Sequence, residues 1–108
     1  MIYIAVPYSH KDRKVRHDRF FAVTQYAAML MSSGKSVFSP ITHTHLISVV
    51  GGCEAKPFEF YEEADLKILS VCDELHVLCL PGWRKSRGVK AEIKAAQKYG
   101  IAVRLVEL

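Results

Sequence analysis

The sequence lacks several features that would place it in a specialised class of protein. No apolar run approaches the roughly 20 residues of a membrane-spanning helix, and the opening residues 1–7 carry no charged leader of a secretory signal. The three cysteines form no Cys-x-x-Cys pair, so we expect neither disulfides nor a zinc ribbon. Lysine and arginine form no basic block, which argues against a nucleic-acid-binding arm. We therefore expect a cytoplasmic protein that contacts neither membrane nor nucleic acid.

What is present is the composition of one globular domain over residues 1–108. Half of the residues are hydrophobic (50%) and 24% are charged. The formal net charge of +4 suits an anionic partner. A chain of this size builds one core with little surplus. A pocket shared with a second copy is therefore expected, in a homodimer or a larger homo-oligomer.

Apolar runs and helical periodicity alternate along the chain, which predicts an α/β fold. The predicted strands span residues 2–6, 36–38, 75–80 and 101–106. The predicted helices span residues 15–33, 57–71 and 87–99, while residues 41–56 are expected to be a loop with one helical turn. Right-handed crossovers then give a three-layer sandwich of the flavodoxin or Rossmann type, with a four-stranded parallel sheet in the order 2-1-3-4.

Two carboxylates fall on helix faces that should be apolar. At about 100° per residue, Asp65 lies in the middle of the buried face of its helix, and Glu92 lies at the edge of the apolar face of the last helix. A buried charge must be paired or must have a function. Asp65 could instead accept hydrogen bonds structurally, and Glu92 could pair with Lys85 or Arg87 at the surface.

The start of the last helix has the features of a phosphate site. Ser86 is a good N-cap and Gly88 follows it, so free backbone N–H groups and the positive end of a helix dipole come directly after a strand. Side chains on a helix lean toward its N-terminus, so Glu92 should reach over Gly88, where we expect open space for a ligand. Arg16, near the start of the first helix, could supply a counter-charge, or its side chain could simply extend over the sheet edge.

Loops supply the other candidate binding residues. An α/β protein places its chemistry in the loop after the first strand, which here carries Tyr8, Ser9 and His10. His43 and His45 form a His-x-His pair, but no third ligand follows at a recognisable spacing, so we expect them to bind substrate without a metal or other cofactor. Trp83 could close over a ring substrate, or it could be a hydrophobic lid residue without a ligand.

These residues resemble a known family. Residues 61–73 (YEEADLKILSVCD) and 86–92 (SRGVKAE) are similar to the signature of the nucleoside 2-deoxyribosyltransferase superfamily, which includes the 2'-deoxynucleoside 5'-phosphate N-hydrolases. The opening IYIAVPYS and the later VFSPITHTH resemble a small bacterial and phage branch of that superfamily. The resemblance spans nearly the whole chain, and its most specific part is the spacing of Asp65, Ser86, Gly88 and Glu92.

The resemblance implies an enzyme that cleaves an N-glycosidic bond of a nucleoside or nucleotide. Glu92 would be the nucleophile at the anomeric carbon, oriented by Tyr3. Asp65 would protonate the leaving base or hold the sugar hydroxyls, and Ser86 with the amides near Gly88 would receive a 5'-phosphate. Independently, the apolar face around Asp65 predicts that this carboxyl group keeps its proton.

Four functions remain to be weighed. Residues 7–10 (PYSH) replace the Gly-Ser-Ile-Arg-type phosphate loop of the hydrolases, and the C-terminal carboxylate motif of the transferases has no counterpart here, which favours hydrolysis. We expect an N-glycosidase first. The alternatives are a non-catalytic nucleotide sensor and a nucleoside deoxyribosyltransferase, and a nucleic-acid-binding module is the least favoured.

Overall fold

Parallel strands form the centre of the molecule. The computed structural model describes residues 1–53 and 56–108. Within them, β1 (Ile2–Ala5), β2 (Val37–Phe38), β3 (Glu74–Leu78) and β4 (Ala102–Val106) form one parallel sheet in the order β2-β1-β3-β4. The predicted α/β class, the parallel sheet and the strand order are confirmed.

Helices cover both faces of this sheet. They are α1 (Arg13–Ser32), α2 (Pro40–Gly51), α3 (Glu62–Leu69) and α4 (Arg87–Lys98), with short 3-10 helices at Phe58–Phe60 and Trp83–Lys85. Side chains alternate along β1, so Ile2 and Ile4 pack against α1, whereas Tyr3 and Ala5 pack in the cluster that includes residues of α3 and α4. The result is the three-layer arrangement expected. Within the described ranges, none of these helices combines the length and apolar character needed to cross a bilayer.

The helix α2 corrects the prediction of a loop over residues 41–56. Ser39 caps this helix by accepting a hydrogen bond from the Thr42 backbone N–H, Pro40 occupies its first turn, and Gly52 ends it in the left-handed conformation at φ +72°. His43 and His45 therefore lie on a helix and not in a loop or strand. Residues 54 and 55 of the predicted loop lie outside the described residues.

The other boundaries differ from the predictions by a few residues. The predicted helix over 57–71 is divided into the 3-10 helix Phe58–Phe60 and α3, and β3 ends at Leu78 and not at residue 80. Strands β1 and β3 are neighbours, with Tyr3 paired to Leu75. Their carboxyl ends therefore meet at one edge of the sheet, where the first turn of α4 also lies.

Candidate functional site

A cavity of about 850 Å³ opens at this edge of the sheet. Its walls come from the loop after β1, the N-terminal parts of α1 and α2, the segment 56–61 and the loop that leads into α4. Eight of the twelve residues predicted from the sequence line it: Tyr8, Ser9, His10, Arg16, Asp65, Ser86, Gly88 and Glu92.

Glu92 lies at the base of this cavity. Its side chain is only 4% exposed, and the Tyr3 hydroxyl, from the central strand beneath it, donates a hydrogen bond of 2.5 Å to its Oε2. The pKa of Glu92 is raised from an ordinary 4.5 to about 8, mainly by burial; the Tyr3 hydrogen bond opposes this shift, and the charge of Asp65 adds to it. Burial also raises the pKa of Tyr3, so this hydroxyl keeps its proton and acts as the donor.

Asp65 is the second acid of the cavity. It is 6% exposed on α3, and burial raises its pKa from 3.8 to about 6. The order of the two pKa values is therefore the reverse of the expectation that Asp65 would be the carboxyl to keep its proton. Glu92 is the more completely enclosed of the two and retains its proton to higher pH.

The first turn of α4 is capped as predicted, but the space above it is filled. The Ser86 hydroxyl accepts a hydrogen bond from the Val89 N–H at 3.2 Å. A Cβ added at Gly88 would lie 3.1 Å from the ring of Phe58, so this glycine makes room for an aromatic side chain of the protein itself. The expectation of open space over Gly88 was wrong. The neighbouring Arg87 forms an ion pair with Glu59, which fastens the segment 58–59 to the start of α4.

Tyr8 is held at the cavity wall by α1 and α2. Its hydroxyl and the Nδ1 of His45 share a hydrogen bond of 2.6 Å, and the imidazole of His45 stacks on Phe20 with 4.1 Å between the ring centres. His45 is buried behind the wall and does not line the cavity. Arg16 donates a hydrogen bond to the carbonyl of His10 and so supports the same loop.

Two predicted binding residues face away from the cavity. His43 is exposed on α2 beside Phe38, and Trp83 packs partly buried against the core, with the Arg84 guanidinium 4.7 Å from its ring centre. Neither residue lines the cavity. In the part of the chain that the structure describes, no three His, Cys, Asp or Glu side chains group closely enough to hold a metal ion.

Arg19 is a site residue that the sequence analysis missed. Its guanidinium donates to the carbonyls of Tyr8 (3.4 Å), Ser9 (3.2 Å) and Pro81 (3.2 Å), so it ties the loop after β1 to the loop after β3. The available signal was its position one helical turn after Arg16, on the same face of α1.

Comparison with known proteins assigns the chain to a family without naming a reaction. No curated protein matches the sequence. One family profile matches residues 1–108, which is the whole chain. The protein therefore belongs to the family described as "Domain of unknown function (DUF1937)".

Proposed function

We propose that the protein is an N-glycosidase that cleaves the base–sugar bond of a nucleotide or deoxynucleotide. The observation that carries this proposal is the pair of buried carboxyl groups, Glu92 and Asp65, that line one cavity at the carboxyl edge of the sheet. Glycosidic cleavage passes through an oxocarbenium-like transition state, which needs one carboxylate beneath the sugar and one acid near the departing atom. The resemblance to the nucleoside 2-deoxyribosyltransferase superfamily supports the same reaction class.

The reaction proceeds in two steps. The reactive form is the one with Glu92 ionised and Asp65 protonated, which is the minor of the two singly protonated forms of the pair. In this form Glu92 attacks the anomeric carbon, the carbon–nitrogen bond breaks, and Asp65 donates its proton to the leaving base. Water then attacks the anomeric carbon of the glycosyl ester, the Glu92 carboxylate leaves, and the water proton returns to Asp65. The Tyr3 hydroxyl aids the first step, because its hydrogen bond favours the ionised form of Glu92.

A nucleotide sensor is the second candidate, and one observation favours it. With a pKa of about 8, most Glu92 side chains carry a proton at neutral pH. A protonated carboxyl is a hydrogen-bond donor to a sugar or base but a poor nucleophile. Such a site would bind a nucleotide without turning it over.

The test is a base-release assay. The protein is incubated with each ribo- and deoxyribonucleoside 5'-monophosphate, and free base is measured by reverse-phase chromatography. An N-glycosidase releases base from at least one member, and Glu92→Gln lowers that rate by at least about 100-fold. Glu63→Gln, on the exposed face of α3, is the matched control and leaves the rate unchanged. Binding without any base release would overturn the enzyme in favour of the sensor.

A further inference from the structure

Three lysines from three separate segments line the cavity. Lys11 follows β1, Lys56 precedes the first 3-10 helix, and Lys85 ends the second. All three are exposed, and none forms an ion pair with a carboxylate in the described part of the chain. Lys56 contacts the ring of Phe60, with its Nζ 5.7 Å from the ring centre. These lysines, here called the rim lysines, place like charges around one opening.

Among the described residues that line the cavity, no acidic group pairs with the rim lysines. Glu59 is paired with Arg87. The other two carboxyl groups of that described lining, Asp65 and Glu92, are buried inside the cavity and not at its exposed rim. Burial also raises the pKa of Glu92 to about 8, so this carboxyl is mostly uncharged near neutral pH, and Asp65 is then the main buried negative charge. The rim therefore carries an excess of positive charge, which attracts an anionic ligand. Without such a ligand the lysines repel one another.

This arrangement divides the cavity into two parts. The acids that would act on a base–sugar bond lie at its buried end, and the cations stand on different walls at its exposed end. One phosphate group next to the start of α4 would reach only one of these walls. The volume of about 850 Å³ also lies toward the upper end of the roughly 300–1,000 Å³ range of small-molecule sites.

We infer that the ligand is a nucleoside 5'-polyphosphate, a di- or triphosphate, whose phosphate chain extends along the rim lysines. This inference rests on the proposed function for the buried end of the cavity and specifies the substrate class of the same site. The base and sugar lie against the acids, and the second and third phosphates contact lysines that a monophosphate leaves unused.

Calorimetric titration of the Glu92→Gln protein, which binds without turnover, tests the inference. The nucleotide probes are the 5'-mono-, di- and triphosphates of adenine, guanine, cytosine and thymine nucleosides, each with ribose and with 2'-deoxyribose. Inorganic phosphate and tripolyphosphate are titrated as well, and no divalent cation is added. The triphosphate of the preferred base binds at least about tenfold more tightly than its monophosphate. Lys11→Ala and Lys85→Ala each remove about threefold or more of that gain.

The matched controls are Lys90→Ala and Lys94→Ala. Both lysines are exposed on α4 and neither lines the cavity, so these substitutions change the net charge equally without altering the rim. They leave the preference for the triphosphate unchanged. Equal affinity for mono- and triphosphate, no binding of any probe, or equal effects of rim and control substitutions would overturn the inference.

The outcomes separate this inference from the proposed function. Base release from a monophosphate without any polyphosphate preference overturns the inference and leaves the N-glycosidase standing. Lysine-dependent binding of triphosphate and of tripolyphosphate, without base release from any nucleotide by the natural protein, supports the polyphosphate site and overturns the N-glycosidase.

Discussion

Burial of Glu92 should make the fold less stable as the pH rises, and Glu92→Gln should remove that dependence. The pKa of this carboxyl is about 8 in the folded protein and close to its ordinary 4.5 in the unfolded chain. Between these values the folded state binds the extra proton. The free energy of unfolding therefore falls as the pH rises from 4.5 to 8, because the unfolded chain releases this proton and gains the stability of an ionised, solvated carboxylate, whereas the folded protein must keep the proton.

The size of the effect follows from the two pKa values. Integrating the difference in bound protons between pH 5 and pH 9 gives a loss of about 4 kcal/mol from this one group. A domain of this size has a total stability of roughly 5–15 kcal/mol, so the loss is a large part of the whole. Glutamine can accept the same hydrogen bond from Tyr3 but carries no titrating proton.

Urea unfolding followed by circular dichroism at pH 5, 7 and 9 measures the effect without any ligand. The natural chain and Glu63→Gln should both lose about 4 kcal/mol more than Glu92→Gln between the extremes, because titrating groups outside the buried pair of Glu92 and Asp65 contribute nearly equally to all three proteins. Parallel stability profiles for the natural chain and Glu92→Gln would refute the reasoning, since they would mean that Glu92 titrates at its ordinary pKa.

Three further predictions concern the same site. Tyr3→Phe removes the hydrogen bond that favours ionised Glu92, so base release at pH 7 falls about 10- to 100-fold, and this deficit relative to the natural protein narrows at alkaline pH. In a Phe58→Ala protein, Gly88→Ala raises the free energy of unfolding by about 1 kcal/mol, because alanine has the higher helix propensity. In the natural chain the same substitution gives no such gain, because the new Cβ meets the Phe58 ring; thermal unfolding of the four proteins of this double-mutant cycle measures the difference. The pH profile of kcat/KM is a bell with limbs near 6 and 8, set by Asp65 and Glu92.

Each of these predictions has an outcome that contradicts it. A Tyr3→Phe protein whose rate loss is the same at every pH would show that the tyrosine acts on folding and not on ionisation. If Gly88→Ala changes the free energy of unfolding equally with and without the Phe58 ring, the ring does not restrict the side chain at position 88. A rate that rises to pH 8 and shows no alkaline fall would mean that Asp65 works ionised, holding the sugar hydroxyls, and is not the proton donor.

The sheet and the buried position of Glu92 were predictable because they depend on local patterns. The apolar run of β1 needs cover on both faces, and the periodicity of α4 places residue 92 next to the sheet. The ends of α1 and α4 carry the same kind of local signal, since each helix is followed by a glycine in the left-handed conformation, Gly34 at φ +87° and Gly100 at φ +70°. In each case the deciding interactions lie within one element or one turn of it.

Features that depend on distant contacts were missed. Threonine, isoleucine, valine and histidine have low helix propensities, which hid α2, although Ser39, Pro40 and Gly52 carried the signals of its two ends. Phe58 and Gly88 are in contact but lie thirty residues apart, and the hydrophobic periodicity of the sequence cannot predict such a contact. The order of the two acid pKa values depends on how fully the finished fold encloses each group.

The three carbonyl contacts of Arg19 determine which wall of the cavity can move. The Arg19 guanidinium, on α1, donates hydrogen bonds to the loop after β1 and to the loop after β3. Because one side chain joins them, we expect these two loops to move together with α1. The wall that carries Phe58 and Glu59 is attached to α4 differently, by the ion pair of Glu59 with Arg87 and by the Phe58 ring beside Gly88. The two sides of the cavity are thus held by attachments of unequal number: three hydrogen bonds from one arginine on one side, and a single exposed ion pair with one ring contact on the other.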